Sequence, residues 1–393
     1  MIAMIAPMIR NNICINTDPI GCKKNVEKDI NYVLSQKQKV GLSKKNNDTK
    51  KPINALIIGA SSGYGLASRI VAAFAYGATT FGVSYERAET EKKTGTPGWY
   101  NNRAFEYYTK ALNNTHITIE GDAFSSHIKK YVVEEAKKHC IKFDLIIYSL
   151  ASYMRVDETT GYTYKSVIKP IDSPFNGKTI NIKNNTLEDV HILPASEEEI
   201  YESIKVMGGE DWSSWISTLD RENLLGDGVI SFAYSYMGGE LTHSIYKYGS
   251  IGRAKKDLYV ASNAIREELK SRRGVAFVSL MRAIATRSSA IIPSLPLYLS
   301  CLFTITKRKG IYEEAIEQVF RLFSTHLYSP SHSLELDHEG YIRCDADELR
   351  IDVQKEVLKL INRVIEKKDL SICDVEGYKK ALLAANGFDL TSY

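Results

Sequence analysis

The sequence predicts an α/β fold, a doubly wound parallel sheet within a single large domain of 393 residues. Three observations support this prediction: short continuous apolar runs, helix-like stretches between them, and a glycine-rich turn after the first run. A continuous apolar run that ends at glycine is typical of a strand buried on both faces. The alternation of such runs with helical stretches indicates parallel strands joined by crossover helices.

The predicted elements follow one another in chain order. The first six are strands at 55–58, 80–85, 117–122 and 144–148 and helices at 64–76 and 125–139. The Gly, Pro, Thr and Asn content of 153–185 predicts an insertion that carries a hairpin. Helices are expected at 197–205 and 250–270, the second with Ser250 as its N-cap. Residues 275–280 predict another buried strand, so the sheet continues beyond the insertion.

The domain is expected to have three parts. These are an N-terminal arm and hairpin over 1–52, a sheet-bearing core over 53–300 with an insertion at 153–245, and a helical extension over 301–393. The polar segment 36–52 predicts a surface loop before the core. The apolar run 291–306 has 16 residues, fewer than the ~20 of a membrane span. It predicts a buried helix or the wall of an apolar ligand site.

Composition narrows the class of protein. The 51 Lys and Arg residues nearly balance 47 Asp and Glu, and the net charge of +4 is spread along the chain. A dedicated nucleic-acid partner is therefore not expected. The six cysteines include no CxxC pair, which favours reduced thiols in the cytoplasm and argues against a zinc site. Residues 1–8 lack the basic start and long apolar run of an export signal.

The glycine-rich turn Gly59-Ala-Ser-Ser-Gly63-Tyr-Gly65 lies between the first strand and the first helix. Amides at a helix N-terminus bind a pyrophosphate, and glycines let it approach the backbone. The spacing is GxxxGxG rather than the commoner GxGxxG, and such turns also serve helix packing. Strand, turn and helix together predict dinucleotide binding in a Rossmann-type fold.

The second strand ends at Tyr85-Glu86-Arg87, where the adenosine ribose should lie. A carboxylate there accepts hydrogen bonds from the ribose hydroxyls and repels a 2′-phosphate, so Glu86 favours NADH over NADPH. Arg87 leaves the other preference open, because a guanidinium can bind that phosphate. A solvated loop charge is the alternative interpretation of Glu86.

Tyr246 and Lys255 follow the fourth strand and are nine residues apart. On one continuous helix this spacing would place them on opposite faces, at ~3.6 residues per turn. Tyr246 is therefore expected to precede the helix, with a bend at Gly249-Ser250 that returns the phenol toward Lys255. A phenol and an ammonium near a nicotinamide can stabilise an enolate and deliver a proton.

The chain resembles the trans-2-enoyl-thioester reductases, the family of the FabV-type enoyl-ACP reductases and the bacterial trans-2-enoyl-CoA reductases. The resemblance covers nearly the whole chain. It rests on Arg10-Asn-Asn-Ile-Cys14, Pro19-Ile-Gly-Cys22, Gly95-Thr-Pro-Gly-Trp-Tyr-Asn101, Gly121-Asp-Ala-Phe-Ser125, Tyr148-Ser-Leu-Ala-Ser152, Val206-Met-Gly-Gly-Glu-Asp-Trp212, Ile251-Gly-Arg-Ala-Lys255, Pro293-Ser-Leu-Pro-Leu-Tyr298 and Ala385-Asn-Gly-Phe-Asp389.

The resemblance implies an enlarged short-chain-dehydrogenase-like fold with substrate-side insertions, a monomer, and a signature of Tyr, eight residues and Lys. Tyr246 and Lys255 match that signature, and the second active-site tyrosine falls on Tyr236, which also binds substrate. The implied cofactor-binding positions are Gly59, Ala60, Ser61, Ser62, Gly63, Tyr64, Tyr85, Glu86, Asp122, Ala123, Leu150, Ala151, Lys255, Ile284, Ala285 and Thr286.

The implied reaction is the NADH-dependent reduction of a 2-enoyl thioester carried by CoA or acyl carrier protein, in fatty acid synthesis. Hydride reaches C3, and the enolate oxygen takes hydrogen bonds from Tyr246 and Tyr236. Tyr246 is expected to supply the proton that ends at C2, with its pKa lowered by Lys255. Lys255 also binds the nicotinamide ribose, and Thr286 fixes the nicotinamide or the pyrophosphate. Neither FAD nor a metal is expected.

Two other functions fit the same residues. A keto- or aldehyde reductase of the short-chain type would use the same tyrosine and lysine on a C=O bond. A dinucleotide-binding protein without turnover would keep the fold alone.

Overall fold

The computed structural model describes residues 6–10, 12–41, 53–287, 289, 292–329 and 334–389. The strands are β1 (Ile9–Arg10), β2 (Ile13–Cys14), β3 (Asn54–Ile58), β4 (Thr79–Ser84), β5 (His116–Glu120), β6 (Phe143–Tyr148), β7 (Met154–Val156), β8 (Thr163–Lys165), β9 (Phe175–Asn181), β10 (Thr186–Ile192), β11 (Leu225–Ser235), β12 (Val275–Leu280) and β13 (Tyr341–Arg343). The α-helices are α1 (Pro19–Lys39), α2 (Gly63–Ile70), α3 (Pro97–Thr109), α4 (Ser126–Lys138), α5 (Glu197–Met207), α6 (Glu210–Arg221), α7 (Ser250–Leu269), α8 (Leu295–Arg308), α9 (Ala315–Arg321), α10 (Ile351–Lys367) and α11 (Val375–Ala384).

The centre of the molecule is a seven-stranded sheet in the order β13-β12-β11-β6-β3-β4-β5. Every neighbouring pair in it is parallel. The chain starts this sheet at β3, builds outward through β4 and β5, and then returns to β6 on the other side of β3. This reversal creates a crevice at the carboxyl ends of β3 and β6, where open α/β sheets bind their ligands.

Strand β3 shows why the sheet is buried on both faces. Successive side chains of a strand point to opposite faces, and here both faces are apolar. Ala55 and Ile57 join one buried cluster, whereas Leu56 and Ile58 join the cluster on the other face. The predicted strands at 55–58, 80–85, 117–122, 144–148 and 275–280 are thus confirmed, with ends that differ by at most two residues.

A third apolar cluster joins α8, α10 and α11 beside the sheet. The apolar segment predicted as a buried helix is α8, with Ile291 outside the described residues. None of the described helices is long and apolar enough to cross a membrane. The predicted insertion carries two hairpins, β7 with β8 and β9 with β10.

Three boundaries differ from the sequence prediction. The segment 1–52 is predicted as an arm and hairpin, but it also contains the helix α1. This helix includes residues 36–39 of the predicted surface loop, and residues 42–52 of that loop lie outside the described part. The insertion is shorter than 153–245, because β11 within that range is a central strand of the sheet. The extension 301–393 supplies the edge strand β13 and is therefore part of the same sheet.

Candidate active site

The turn between β3 and α2 presents bare backbone at the crevice. Gly59 has a φ of +87°, and a Cβ there would lie 2.4 Å from the carbonyl oxygen of Ser149. A Cβ at Gly65 would lie 1.9 Å from the carbonyl oxygen of Gly59. Gly63 opens the helix with a φ of +52°. Backbone this close, without side chains and at a helix N-terminus, fits the pyrophosphate of a dinucleotide.

Glu86 lies two residues after β4 and contacts this turn. Its Oε1 accepts a hydrogen bond from the Ser61 hydroxyl at 2.5 Å, and its Oε2 accepts one from the Thr96 hydroxyl. A Cβ at Gly98 would lie 2.0 Å from Oε1, so only glycine leaves room for the carboxylate. An ionised carboxylate has about four acceptor positions, which leaves some for the ribose hydroxyls.

Thr286, in the loop after β12, lies beside the turn. Its Cγ2 would be 3.8 Å from a Cβ at Gly63. Tyr64 differs from the other predicted cofactor residues, because its hydroxyl lies 2.7 Å from the Arg282 carbonyl oxygen and 2.9 Å from Gln318 Oε1. The Tyr64 side chain therefore anchors the protein's own loop.

The other predicted cofactor residues follow β3, β4, β5, β6 and β12. Ala123 is buried, and its carbonyl oxygen accepts hydrogen bonds from Lys129 Nζ at 3.2 Å and Trp215 Nε1 at 3.1 Å. Tyr85 is 80 % exposed. The remaining members are Ala60 and Ser62 in the glycine turn, Asp122 after β5, Leu150 and Ala151 after β6, and Ile284 and Ala285 after β12.

Tyr246 precedes α7, as the residue spacing predicts. Residues 243–248 form consecutive turns, and the N-cap of α7 is Gly249 rather than the predicted Ser250. A Cβ at Gly249 would lie 2.5 Å from the carbonyl oxygens of Ile245 and Lys169. The bend is therefore packed tightly, and glycine permits it.

Tyr246 meets Tyr236, which follows β11 directly. Their ring centroids are 5.2 Å apart with an interplanar angle of 64°. Tyr246 also packs against the apolar cluster that contains α8. The Tyr236 hydroxyl lies 3.2 Å from Glu348 Oε1, and the Tyr298 hydroxyl lies 2.8 Å from the same oxygen. The structure thus brings the two predicted tyrosines together beside an apolar surface.

Burial controls the protonation of these groups. It raises the pKa of Tyr246 to about 12 and the pKa of Tyr236 well above its ordinary value. It lowers the pKa of Lys255 from 10.5 to about 8. The expected lowering of the Tyr246 pKa by Lys255 is therefore wrong for this structure, in which desolvation of the phenolate raises that pKa instead. Both phenols remain protonated near neutral pH and can act as hydrogen-bond donors.

Sequence reasoning missed Glu348 and Tyr298 at this site. Tyr298 ends the motif Pro293-Ser-Leu-Pro-Leu-Tyr298, so a signal for it was present in the sequence. Glu348 lies in a segment with no recognisable motif, and only the three-dimensional fold brings it close to Tyr236. Within the described residues, no group of three or more His, Cys, Asp or Glu is arranged to hold a metal ion.

The fold and the site define a dinucleotide-dependent oxidoreductase of the α/β class. The chain belongs to the trans-2-enoyl-CoA reductase family, whose catalytic-region model matches residues 93–328. Two further family models match: the NAD(P)H binding domain of trans-2-enoyl-CoA reductase at residues 4–91 and an enoyl reductase FAD binding domain at residues 336–392.

Two curated relatives are similar over nearly their whole length. The trans-2-enoyl-CoA reductase [NADH] of Treponema denticola is 48 % identical, over 98 % of this chain and 96 % of the relative. The enoyl-[acyl-carrier-protein] reductase [NADH] of Flavobacterium johnsoniae is 42 % identical, over 98 % and 95 %.

Two solved structures share the fold. The Treponema denticola trans-2-enoyl-CoA reductase in complex with NAD has a TM-score of 0.94 and 47 % identity, covering 99 % of this chain and 96 % of that one. The Clostridium acetobutulicum enzyme in complex with NADH has a TM-score of 0.92 and 38 % identity, with the same coverage of 99 % and 96 %.

Proposed function

We propose that this protein reduces the C2=C3 double bond of trans-2-enoyl thioesters with NADH. The observation that carries the proposal is the pair of protonated phenols, Tyr236 and Tyr246, with rings 5.2 Å apart. Hydride addition to C3 places negative charge on the thioester oxygen, and two neighbouring donors stabilise an oxyanion. The names of the relatives and the NAD and NADH complexes of the similar structures support the same reaction.

The proposed reaction gives separate roles to the residues that bind the cofactor and to those that contact the substrate. The glycine turn from Gly59 to Gly63 holds the pyrophosphate, Glu86 binds the adenosine ribose, and Lys255 binds the nicotinamide ribose. When bound, NADH supplies the hydride. Tyr246 and Tyr236 donate hydrogen bonds to the thioester oxygen, and Tyr246 provides the proton that ends at C2. The apolar surface of α8 is proposed to line the acyl chain.

Initial rates with NADH test the reaction against its alternatives. Crotonyl-CoA is expected to be reduced much faster than acetoacetyl-CoA. Hydride addition to a C=C bond conjugated to the thioester delocalises the negative charge onto the thioester oxygen, where the two tyrosines can stabilise it. Faster reduction of acetoacetyl-CoA would favour a ketoreductase. Tight NADH binding without oxidation across enoyl chain lengths would favour a protein without turnover.

The acyl carrier is either CoA or acyl carrier protein, since relatives of both names are similar to this chain. Matched enoyl groups on both carriers, compared by kcat/KM at a short and a long chain length, distinguish the two.

We propose a cytoplasmic monomer. Light scattering coupled to size-exclusion chromatography tests whether the protein is a monomer. A mass larger than that of one chain would contradict the proposal.

We also propose that the enzyme works without FAD, although a FAD binding domain model matches residues 336–392. The support is packing: buried side chains of α10 and α11 join α8 in one apolar cluster. Their inner faces are thereby used within the protein. A purified protein with flavin absorbance would contradict this proposal.

A further inference from the structure

Glu348 is a buried carboxyl group, 1 % exposed, in the segment before α10. Three donors from different elements meet it. The Tyr298 hydroxyl of α8 and the Tyr236 hydroxyl lie 2.8 Å and 3.2 Å from Oε1, and the Ala283 amide donates to Oε2 at 2.7 Å. The group therefore connects the C-terminal region directly to a tyrosine of the proposed site.

The Tyr236 hydroxyl has a single proton. The protonation state of Glu348 determines whether that proton points toward Glu348 or toward the substrate. An ionised carboxylate only accepts hydrogen bonds, so Tyr236 must then donate to Glu348 and has no proton left for the thioester oxygen. A protonated Oε1 can instead donate to the Tyr236 oxygen, which frees the Tyr236 proton for the substrate.

The neutral carboxyl group satisfies all the observed partners. Its hydroxyl oxygen still accepts from Tyr298 while it donates to Tyr236, and its carbonyl oxygen still accepts from the Ala283 amide. Gln354 Nε2 donates to the Tyr298 oxygen at 3.0 Å, which directs the Tyr298 proton toward Glu348. No bond between heavy atoms changes, and the two forms differ by the one proton that Glu348 releases to solvent when it ionises.

We propose that Glu348 is a positioning residue: its protonated form turns the Tyr236 hydroxyl toward the thioester oxygen, and its ionised form withdraws that hydroxyl. The inference rests on the proposed reaction and adds a pH-dependent control of one of its two oxyanion donors.

The surroundings of Glu348 favour the neutral form. Burial raises its pKa from 4.5 to about 7, against the lowering effect of the Ala283 amide and the Tyr298 hydroxyl. The nearby Arg282 guanidinium is engaged with Asp347 and Glu313. The titratable groups that face or act on Glu348 from the elements packed around it are Tyr64, Tyr236, Tyr298 and Asp345.

The pH profile of kcat with crotonyl-CoA and NADH tests the inference in Glu348→Gln. The uncharged amide does not titrate, and its Nε2 in the place of Oε1 donates to Tyr236, while the Tyr298 hydroxyl loses its acceptor there. In the wild type, kcat should fall as the pH rises through about 7, by about tenfold per pH unit until the remaining donor limits the loss. In Glu348→Gln this fall should be absent, and NADH is kept saturating so that its weaker binding above the Lys255 pKa of about 8 does not contribute.

Asp29→Asn is the matched control. Burial also raises the pKa of Asp29 to about 7, but this carboxyl group lies on α1, so the variant should keep the wild-type fall. A fall near pH 7 that persists unchanged in Glu348→Gln would overturn the inference while the proposed reaction stands.

Tyr298→Phe provides a second test if Glu348→Gln does not fold. Its hydroxyl stabilises the ionised form of Glu348, so its removal should raise the Glu348 pKa and move the fall to higher pH. An unchanged or lower midpoint would contradict the inference. The C=O stretching band of a protonated carboxyl group, followed by infrared spectroscopy in both variants against the wild type, reports the same titration without turnover. A wild type that binds NADH but reduces no enoyl thioester would refute the reaction, and this band would still decide whether Glu348 titrates near pH 7.

Discussion

The two tyrosines of the site differ in what their hydroxyls contact. The Tyr236 hydroxyl is within hydrogen-bond distance of Glu348, whereas burial alone raises the Tyr246 pKa to about 12. A phenol that keeps its proton and donates to no carboxylate among the described residues is suited to deliver that proton. Tyr246 is therefore the residue whose loss should affect turnover most directly.

Substitution of Tyr246 by Phe should lower kcat by about 10²–10³, the usual effect of removing an oxyanion donor. NADH binding should stay within a few-fold, since the ring and its packing against Tyr236 remain. Stopped-flow rates and NADH titrations measure the two quantities separately. Turnover near the wild-type value would remove Tyr246 from the proposed mechanism.

Substitution of Glu86 by Gln should weaken the preference for NADH over NADPH by about tenfold, equivalent to about 1.4 kcal/mol. The amide is isosteric and leaves the space beside Gly98 unchanged, but it no longer repels a 2′-phosphate. The ratio of kcat/KM for the two cofactors is the measurement. An unaltered ratio would refute the assignment of Glu86 to the ribose.

Lys255 should make NADH affinity depend on pH. Its pKa is lowered by burial to about 8, so the side chain is a cation below that pH and becomes neutral as the pH rises through it. The loss of a charge-assisted hydrogen bond should weaken NADH binding by about fivefold, or about 1 kcal/mol. In Lys255→Arg the cation persists at every accessible pH, and calorimetric titrations should show no such step. The same step in both proteins would exclude Lys255 as its source.

At the scale of elements, the start of α7 is fixed to the inserted segment. The Ser250 hydroxyl donates to the Val167 carbonyl oxygen at 2.5 Å and accepts from the Lys169 amide at 3.2 Å. The Ser250 amide also donates to the Lys169 carbonyl oxygen at 3.0 Å. The insertion thus holds the helix start that immediately follows Tyr246.

Substitution of Ser250 by Ala should destabilise the fold by about 1 kcal/mol, because two partly buried backbone groups of the insertion lose their partner. It should also lower kcat, since the turn that carries Tyr246 is released. Ser262→Ala is the matched control: Ser262 is equally buried on α7, but its hydroxyl donates to Tyr259 within the same helix. Urea unfolding and kcat should change less in the control, and equal effects would argue against the anchor.

The sequence predicted elements wherever a local pattern determines them. The buried strands were predicted because continuous apolar runs are needed between two covered faces. Helix α1 was missed because most of its residues are polar, although Asp18 followed by Pro19 is a start signal: the Asp18 side chain accepts from the Ile20 amide at 3.0 Å. Strand β11 was missed because Gly226 and Gly228 interrupt its apolar run.

The candidate site was predictable to the same extent. The glycine turn, Glu86 and the spacing of Tyr246 and Lys255 are local, and the structure places the turn and Glu86 together. Glu348 was not predictable, because its contact with Tyr236 joins residues 112 positions apart and depends on the packing of α8 and β12. The predicted direction of the Tyr246 pKa shift was wrong for a related reason, since desolvation depends on the completed fold.

At the scale of the whole molecule, the C-terminal region from β13 onward belongs to the same domain as the proposed active site. Strand β13 pairs with β12 in parallel, with Ile342 opposite Ser279. Glu348 follows this strand and reaches the site, and α10 and α11 cover α8. The region that matches a FAD binding domain model therefore completes the sheet, the apolar cluster and the surroundings of Tyr236.

Removal of the chain after residue 335 should consequently prevent folding rather than release a smaller active reductase. The truncation deletes the edge strand and exposes the buried face of α8, including Leu299 and Cys301, each 0 % exposed in the full chain. Apolar surface of this kind contributes about 25 cal/mol per Å² when buried, so its exposure favours aggregation. Sizing chromatography and NADH titration of the truncated chain are the measurements. A monodisperse truncated protein that binds NADH as tightly as the full chain would show that residues 336–392 are a separable domain.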